Sequence, residues 1–533
     1  MRASEDRGVI PYVRSQRALD EAWDAIVIGA GVGGLSAAIL LARLGQRVLV
    51  LERHYAPGGL AQTFRRGPYE LEVGVHYIGE VLDEQHTLRR LFDVLTDRRL
   101  GWAPYGEIHD RVAIGRRRVA VGTGPNGLRA VLEAYAPDER AAIDRYLADV
   151  VLMKRAAGPF LLGRAAPRQI DDRRTPFARL AEVPTLEHLA RLGVSHRLAE
   201  LMTYHFGNYG CPPTRSSFAA HAIATAYYMD GAAVPIGGGA RLVRELVRGL
   251  TDRGGSVIVR ADVEAIRHED GAVRGVRFCD GRELDARIVV SDAGLRATAF
   301  DLLGDDAPGV EAMRDAVRAI GPSYAHCALY LGLRGSPSEL GLTKENLWRV
   351  PPAITSIDQD IDAWARGHGD EPPGLFLSRG CAIDPSWDTR HPGRSSIVAL
   401  VQAPYEPFDA WADQPRGRRE EAYRVRKARL TASVLRSVLA ELPAIEGAID
   451  HAELSTPVST RTFTGHARGE TVGLDHVPAR FTHACSPRTR IAGLALSGQD
   501  AWLGGIGGAA FGGLAAVTYL TGRPLVHEIL RAR

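Results

Sequence analysis

The fold of this chain is set by Asp24-Ala-Ile-Val-Ile-Gly29-Ala-Gly31-Val-Gly33-Gly34. Its short apolar, β-branched run predicts a buried parallel strand, and the glycine cluster follows that strand at once. Leu35–Leu44 then has the pattern of a helix with little polar surface, and Gln46–Leu51 predicts a second strand that Glu52 closes. Strand, glycine loop, helix, strand and acid stand in register, so the stretch predicts a βαβ unit that binds a dinucleotide.

Each glycine of this cluster has a separate task in such a unit. Gly29 makes the tight turn, Gly31 lets the backbone approach the pyrophosphate, and Gly34 lets the helix pack closely on the strand. Gly33 completes the loop at the helix N-terminus, where unpaired N–H groups and about half a positive charge favour an anion. Glu52 lies 18 positions after Gly34 (52 − 34), close to the usual spacing of about 20, and is predicted to bind the adenosine ribose hydroxyls.

A second glycine pair follows the acid, in Arg53-His-Tyr-Ala-Pro-Gly58-Gly59-Leu60. A Rossmann domain that binds only NAD has no need of this pair. The stretch resembles a loop of the amine-oxidase and phytoene-desaturase flavoproteins, in which it runs along the pyrophosphate and ribityl chain towards the isoalloxazine ring. The resemblance implies that the dinucleotide is FAD and that Arg53, Gly58, Gly59 and Leu60 contact it.

The C-terminal part of the chain resembles the matching half of the cofactor site in these flavoproteins. Gly493-Leu-Ala-Leu-Ser-Gly498-Gln-Asp500 predicts a strand that ends in Gly-x-Asp, and a glycine-rich apolar helix is predicted over Leu503–Leu520. The resemblance implies that Gly498 and Asp500 bind the ribityl chain and that the helix N-terminus, around Gly507, points at the flavin pyrimidine ring. Val289-Val-Ser-Asp292-Ala-Gly294 resembles the second cofactor-side strand of the group and places Asp292 in the site.

These segments lie far apart in the chain, so the predicted Rossmann-type FAD-binding domain of this α/β protein is discontinuous. It comprises residues 20–80, 236–296 and 490–533. An interleaved α+β substrate domain is predicted from residues 81–235 and 297–489, with helices over Ala130–Ala156 and Leu186–Tyr204 covering a sheet. Residues 1–19 are expected to be a flexible lead.

Further stretches of the chain carry a closer resemblance, and they are Gly58–Phe64, Tyr69–Gly79, Tyr209-Gly210, Ser217–Ala222, Pro235–Gly238, Asp384–Trp387, His391–Ser395 and Ser497–Asp500. In this order they resemble the retinol-saturase branch of the phytoene-desaturase and carotenoid-isomerase superfamily. The resemblance implies an FAD-dependent oxidoreductase that acts on CH–CH groups and saturates a C=C bond of a polyene or isoprenoid, a hydrophobic small molecule.

Two other functions stay open on the same fold. One is a cis–trans isomerase or a desaturase of the carotenoid type. The lack of a separate NAD(P)H-binding domain of the disulfide-reductase kind favours it slightly, because a reductase then needs an external donor, either NADPH or NADH that visits the flavin or another partner. The other is a prenyl-lipid-binding protein without redox chemistry, like the Rab GDP-dissociation inhibitors. The intact glycine motif and the Gly498-Gln-Asp500 ending argue against this reading.

Saturating a polyene requires a hydride at one carbon and a proton at its neighbour, so such a site needs a proton donor. His76 is the candidate donor, because it lies on a predicted alternating strand that leads away from the second glycine pair, with Tyr77 on the opposite face. An aromatic run with Tyr204, Phe206 and Tyr209 is predicted to line a site for a flat apolar ligand. A structural role in the core stays open for His76 and for these aromatic residues.

Composition restricts the partners and the location. A net charge of +3 provides no basic field for nucleic acid, and no Cys or His spacing predicts a metal site. The N-terminal residues show no apolar signal segment, so a cytoplasmic location is the default expectation. An Arg-rich stretch from Arg89 to Arg174 leaves peripheral contact with an anionic membrane open. The Leu503–Leu520 segment is too rich in glycine to favour a membrane helix.

Overall fold

The computed structural model describes residues 9–165, 175–351, 353–483 and 486–531. The ends of the predicted lead and of the predicted FAD-binding domain, residues 1–8 and 532–533, lie outside these ranges. Strands in the described ranges are short, mostly of three to seven residues. In chain order they are β1 (Val9–Pro11), β2 (Ala25–Ile28), β3 (Val48–Glu52), β4 (Thr63–Arg66), β5 (Tyr69–Glu72), β6 (Ile78–Gly79), β7 (Trp102–Pro104), β8 (Ile108–Ile114), β9 (Arg117–Gly122), β10 (Ala232–Pro235), β11 (Ser256–Val259), β12 (Val263–Glu269), β13 (Ala272–Phe278), β14 (Glu283–Asp285), β15 (Ile288–Ser291), β16 (Ala325–Arg334), β17 (Asn346–Val350), β18 (Leu375–Ser378), β19 (Arg394–Ala403), β20 (Ile449–Ser455) and β21 (Leu494–Leu496).

The α-helices of the described ranges vary from a single turn to 26 residues. In chain order they are α1 (Gln16–Leu19), α2 (Val32–Arg43), α3 (Thr87–Leu95), α4 (Pro125–Tyr135), α5 (Arg140–Ala165), α6 (Pro176–Ala181), α7 (Thr185–Arg191), α8 (His196–Met202), α9 (Phe218–Met229), α10 (Gly238–Thr251), α11 (Leu295–Ala297), α12 (Val310–Ile320), α13 (Ile357–Ala365), α14 (Gly380–Ile383), α15 (Trp387–Arg390), α16 (Glu421–Glu441), α17 (Pro457–Thr464), α18 (Pro478–His483), α19 (Gly498–Ala501), α20 (Gly505–Thr521) and α21 (Leu525–Arg531).

A six-stranded parallel sheet with the strand order β1-β11-β3-β2-β15-β21 forms the centre of the cofactor-binding half. Alternate residues of its inner strands enter two separate cores. Val27 and Val50 pack with α2 and α10, whereas Ile26 and Leu49 pack with the β12-β13-β14 sheet on the opposite face. Since both faces are covered, the strands are apolar throughout. Their carboxyl ends meet at one edge, which is where parallel sheets of this kind bind ligands.

Residues 9–19 are not the flexible lead that was expected from the sequence. β1 pairs in parallel with β11 and extends the six-stranded sheet by one strand. The side chains of Ala18 and Leu19 are buried, and the Tyr12 hydroxyl donates to Asp280 at 2.7 Å. The expectation was wrong because β1 has three residues, too few for a readable periodicity, and its pairing depends on a sheet edge that exists only after folding.

A seven-stranded sheet with the strand order β20-β16-β19-β18-β17-β8-β9 forms the other half. β17 and β8 pair in parallel, and the other neighbours pair antiparallel. The helices α5, α8 and α9 share a core with this sheet that includes Tyr146, Phe218, Val112 and Trp348. The sheet therefore combines strands from two distant parts of the chain, while the domain bounds inferred from the sequence stay a prediction.

Each of the two helices expected over Ala130–Ala156 and Leu186–Tyr204 is interrupted, so that two helices stand where one was expected. α4 ends at Tyr135 and α5 begins at Arg140, after a 3-10 turn whose first residue, Pro137, has no N–H with which to continue the hydrogen bonding of α4. α7 ends before Gly193, which has φ +80°, and Ser195 caps α8 by accepting from the N–H of Leu198. Apolar periodicity continues across both turns and therefore did not reveal them.

The glycine-rich helix α20 packs closely on α2. A Cβ at Gly512 would overlap the carbonyl oxygen of Gly498, and a Cβ at Gly513 would overlap that of Gly33. Ser36 of α2 donates to the carbonyl oxygen of Ala510 at 3.0 Å. The glycine spacing thus serves close contact between two helices. In the ranges that the structure describes, no helix has both the length and the apolar character needed to cross a membrane.

Candidate cofactor and substrate site

One large cavity extends from the glycine loop after β2 to the inner face of the seven-stranded sheet. Its volume is about 1850 Å³, whereas a pocket for one drug-sized ligand has about 300–1,000 Å³. Loops after β2, β3, β15 and β21 line one end, and residues of β16, β18 and β19 line the other. The cavity therefore has room for a dinucleotide together with a second ligand.

The first turn of α2 forms the end of the cavity at the parallel sheet. Gly29 has φ +99°, in the region that favours glycine. Gly31 precedes α2 without a side-chain cap, so N–H groups of this turn are available to an anion. A Cβ at Gly33 would lie 2.5 Å from Asp292 Oδ1, and a Cβ at Gly34 would overlap the carbonyl oxygen of Gly29. Gly34 thus allows the close approach of helix and loop, while Gly29, Gly31 and Gly33 line the cavity.

Glu52 stands at the end of β3 with its carboxylate fixed by two backbone groups. The N–H of Ala30 donates to Oε2 at 2.8 Å and that of His54 donates to Oε1 at 2.7 Å. Carboxylate oxygens have further lone pairs, and Glu52 lines the cavity beside the glycine loop. Its carboxylate is therefore fixed beside the glycine loop, with lone pairs left for hydroxyl groups of a ligand.

The segment after Glu52 closes this end of the cavity. Gly58 has φ +116°, and its N–H donates to the carbonyl oxygen of Ala30 at 2.7 Å. This bond holds the second glycine pair against the first glycine loop. Gly59, Leu60 and Arg53 also line the cavity, and the Arg53 guanidinium lies against Gly465, where a Cβ would overlap it.

Asp292 follows β15, and its carboxyl group lies among the glycines of the loop. A Cβ at Gly31 would be 2.6 Å from Asp292 Oδ2. Burial raises the pKa of Asp292 to about 7, and the N–H of Gly34 only partly offsets this effect. Asp292 therefore carries less than a full negative charge near neutral pH, which reduces its repulsion of an anion at the glycine loop.

The C-terminal segment closes the cradle from the opposite side. Gly498 at the start of α19 and Gly507 in the first turn of α20 line the cavity. Asp500 accepts from the backbone N–H of Leu295 on Oδ2 at 2.9 Å and of Leu474 on Oδ1 at 2.8 Å. Asp500 therefore links two loops, a task that the sequence did not reveal, and has only its remaining lone pairs to offer a ligand.

His76 lies in the cavity wall, in the bend between β5 and β6, and not on the alternating strand that was expected. That expectation was wrong because pairing with β4 ends at Glu72, although the apolar alternation continues. Both ring nitrogens of His76 are buried and have no hydrogen-bond partner among the described residues. Burial, and less strongly the nearby His326, lower the pKa of His76 to about 3. The ring is therefore neutral at neutral pH, with both nitrogens free for a ligand.

Aromatic side chains surround His76. The ring of Phe376 on β18 lies edge-on to His76, with centroids 5.6 Å apart. Tyr77 stacks on Tyr228 at 4.3 Å, and its hydroxyl accepts from Asn208 Nδ2 at 2.8 Å. Since the polar atom of Tyr77 is already bonded, this residue presents mainly ring surface to the cavity.

Tyr204, Phe206 and Tyr209 also line the cavity. The Tyr204 hydroxyl donates to Asp110 at 2.8 Å, and the Tyr209 hydroxyl is 3.3 Å from His221 Nδ1. Both bonds are buried in the neighbouring core. These three residues therefore belong both to the hydrophobic core and to the cavity wall, and their rings provide flat apolar surface at the aromatic end of the cavity.

The sequence profile of the flavin-containing amine oxidoreductases matches residues 32–424. The chain belongs to this family. The cradle fits the family's FAD, because it combines an uncapped helix N-terminus, a fixed carboxylate at the end of β3 and a large enough cavity. This flavin-containing oxidoreductase is thus FAD-dependent, and the prediction of an oxidoreductase on this fold is confirmed.

Named relatives cover nearly the whole chain. All-trans-retinol 13,14-reductase of Danio rerio is 31% identical to this flavin-containing oxidoreductase over 530 residues, covering 95% of this chain and 87% of that one. Prolycopene isomerase of Arabidopsis thaliana is 24% identical and covers 84% and 73% of the two chains. The structure of cyclohexylamine oxidase from Brevibacterium oxydans IH-35A is similar with a TM-score of 0.61 at 18% identity, covering 96% and 100%. The last comparison shows that the fold is shared.

We expect Glu52→Ala to weaken FAD binding by about ten- to a hundredfold, because two ribose hydroxyls lose a charged acceptor. The flavin content of the purified variant is measured first, and its apoprotein is then titrated with FAD. Glu283→Ala is the control, because Glu283 is an exposed carboxylate paired with Arg267. Wild-type flavin affinity in Glu52→Ala contradicts the role given to Glu52.

Two polar residues at the aromatic end, His326 and Gln402, were not expected in the site from the sequence. They are direct cross-strand neighbours on β16 and β19, and both line the cavity. Each is a polar residue in an otherwise apolar run, which was the available signal. That signal does not tell which strands pair, so the two residues could not be brought together from the sequence.

Proposed function

We propose that the protein uses FAD to reduce a C=C bond of a polyene or other isoprenoid. The observation that carries the proposal is that the FAD cradle and an aromatic chamber with a neutral, unpartnered histidine belong to one cavity. The similarity to all-trans-retinol 13,14-reductase over almost the whole chain supports double-bond reduction. Retinoids and carotenoids are flat and apolar, which matches the wall formed by Tyr77, Tyr204, Phe206 and Phe376.

The chain's own residues have three tasks in this reaction. Bound FAD supplies the hydride chemistry through its N5 edge. The aromatic walls orient the polyene and exclude water from the reacting carbons. His76 stands in the wall, and neither ring nitrogen has a hydrogen-bond partner among the described residues. We assign it a proton relay, in which one nitrogen gives its N–H proton to the neighbouring carbon while the other takes a proton from solvent, so that the ring is neutral before and after the step. Asn208 holds the hydroxyl of Tyr77 and thereby fixes the ring next to His76.

An external electron donor belongs to the proposal. The sequence has two GxGxxG stretches: Gly29–Gly34 forms the FAD cradle, whereas Gly122–Gly127 lies at the end of β9, which pairs antiparallel with β8 and is therefore not part of a dinucleotide-binding βαβ unit. We therefore propose that NADPH or NADH reaches the flavin directly or that another partner delivers the electrons. A water-insoluble substrate also has to enter from a membrane or carrier, so peripheral membrane contact of a cytoplasmic protein is part of the same proposal.

The test is an anaerobic absorbance experiment on the purified holoprotein. NADPH or NADH is added first, and a panel of retinoids and carotenoids follows. For a reductase we expect flavin bands that bleach with the donor or with dithionite and recover with one polyene, with one mole of saturated product per mole of reoxidised flavin. Reduced flavin that no polyene reoxidises contradicts the proposal.

A second candidate is a carotenoid-type cis–trans isomerase, with a desaturase as its variant. The similarity to prolycopene isomerase favours it. The same experiment separates the candidates, because an isomerase changes the cis–trans ratio of the polyene without net reoxidation of the flavin. A desaturase instead bleaches the oxidised flavin when the polyene is added.

A further inference from the structure

Gln402 is a buried polar side chain in the aromatic end of the cavity, and it has no partner among the residues that the structure describes. Its residue exposure is 7%, and neither its amide oxygen nor its amide nitrogen has a hydrogen-bond partner within the described part of the chain. Its neighbours on β19, Leu400 and Val401, are apolar and line the same cavity. Burying an unbonded carboxamide is unfavourable, so this group points to a ligand that bonds it.

The hydrogen bonds of His326 leave one of its ring nitrogens for a ligand. His326 Nδ1 lies 2.9 Å from the hydroxyl oxygen of Thr471 and bonds it in either tautomer of the ring. Nε2 is the nitrogen left for a ligand, as an acceptor in one tautomer and as a donor in the other. His326 lines the cavity.

The side chains of His326 and Gln402 lie next to each other, because the two residues are directly opposite in the antiparallel pair of β16 and β19. Directly opposite residues in such a pair have Cβ atoms about 4.5–5.5 Å apart. One ligand oxygen can therefore reach both Nε2 of His326 and the carboxamide of Gln402. Burial lowers the pKa of His326 to about 4, so the pair is uncharged at neutral pH.

We propose that His326 and Gln402 form a subsite for the hydroxyl group of an apolar alcohol. A hydroxyl group both donates and accepts, so it can bond His326 Nε2 and the Gln402 carboxamide at once in either tautomer of the histidine. An ether lacks the donor, a hydrocarbon lacks both functions, and a carboxylate brings a charge into the uncharged pair without a cation to neutralise it. This inference rests on the proposed function, in which the ligand is a polyene, and adds that the polyene ends in an alcohol.

The test compares the binding of all-trans-retinol, its methyl ether and retinoic acid to the oxidised holoprotein by quenching of tryptophan fluorescence. We expect the wild type to bind retinol about ten- to a hundredfold more tightly than the ether or the acid. Gln402→Leu should bring retinol to the level of the ether, with unchanged flavin content. Ile397→Leu, a volume-conserving change on β19 in the core formed with Leu331 and Val434, is the control and should keep the preference.

Each other outcome overturns the subsite or separates it from the proposed function. Equal affinities for retinol and its ether in the wild type overturn it without any variant. A Gln402→Leu protein that has lost FAD also overturns it, because the carboxamide then serves the cofactor. Retinol that binds with the expected preference, together with reduced flavin that no polyene of the panel reoxidises, leaves the subsite standing and contradicts the proposed reductase. Failure of the holoprotein to bind retinol overturns the subsite, while reoxidation of the reduced flavin by a carotenoid then leaves the proposed function standing.

Discussion

Gly31→Val should yield a protein that purifies with little or no FAD. A Cβ at Gly31 would lie 2.6 Å from Asp292 Oδ2, and the two methyl groups of valine add bulk on the side where the backbone approaches the pyrophosphate. The loop after β2 must then move away from the first turn of α2, which removes the anion site. We expect at least a hundredfold weaker binding, a loss of about 2.7 kcal/mol or more, in titrations of the apoprotein with FAD.

Gly447→Ala is the matched control for this substitution. Gly447 has no atom within 4 Å of the place where a Cβ would stand, and it does not have a positive φ. This variant should keep its yellow colour and wild-type far-UV circular dichroism. If Gly31→Val remains folded and binds FAD as the wild type does, the glycine loop is not the pyrophosphate site.

His76→Gln should reduce the rate of polyene reduction by about a hundred- to ten-thousandfold, the usual contribution of a positioned proton donor. Flavin content should not change, because the ring of His76 contacts the aromatic end of the cavity. The rate is measured in a single turnover, from dithionite-reduced holoprotein mixed anaerobically with the polyene. Reduction of the flavin by the external donor should keep its wild-type rate.

The pH dependence of the same step provides an independent measurement. Burial lowers the pKa of His76 to about 3, so the ring is neutral above about pH 4. We therefore expect that His76 adds no inflection to the rate between about pH 5 and 8, and that the profiles of wild type and His76→Gln are parallel. An inflection near the ordinary histidine pKa of about 6.5 that vanishes in His76→Gln would contradict this environment. His268→Gln, which alters a histidine of the β12-β13-β14 sheet, is the control for both measurements.

The cofactor end of the site could be read from local sequence because its signals lie within a few residues of one another. Gly29, Gly31 and Gly33 are explained by the turn that joins β2 to α2, and Glu52 is explained by its place at the end of β3. Strand ends and helix starts are properties of short segments, so they appear in short motifs. The family resemblance added the C-terminal strand with Asp500, although not the two backbone groups that hold its carboxylate.

The aromatic end required the folded chain, because its contacts join segments whose spacing in the sequence carries no information. His326 meets Gln402 through the register of two antiparallel strands, and a shift by one residue would turn either side chain to the other face. His76 is not in a strand, because the pairing of β5 with β4 ends at Glu72. Residues 9–11 form the strand β1, because they pair with the edge of β11. Local sequence thus fixed the FAD-binding βαβ unit through backbone geometry and hydrophobic pattern. The substrate end, in contrast, depends on pairing, register and burial, which exist only between segments that folding brings together.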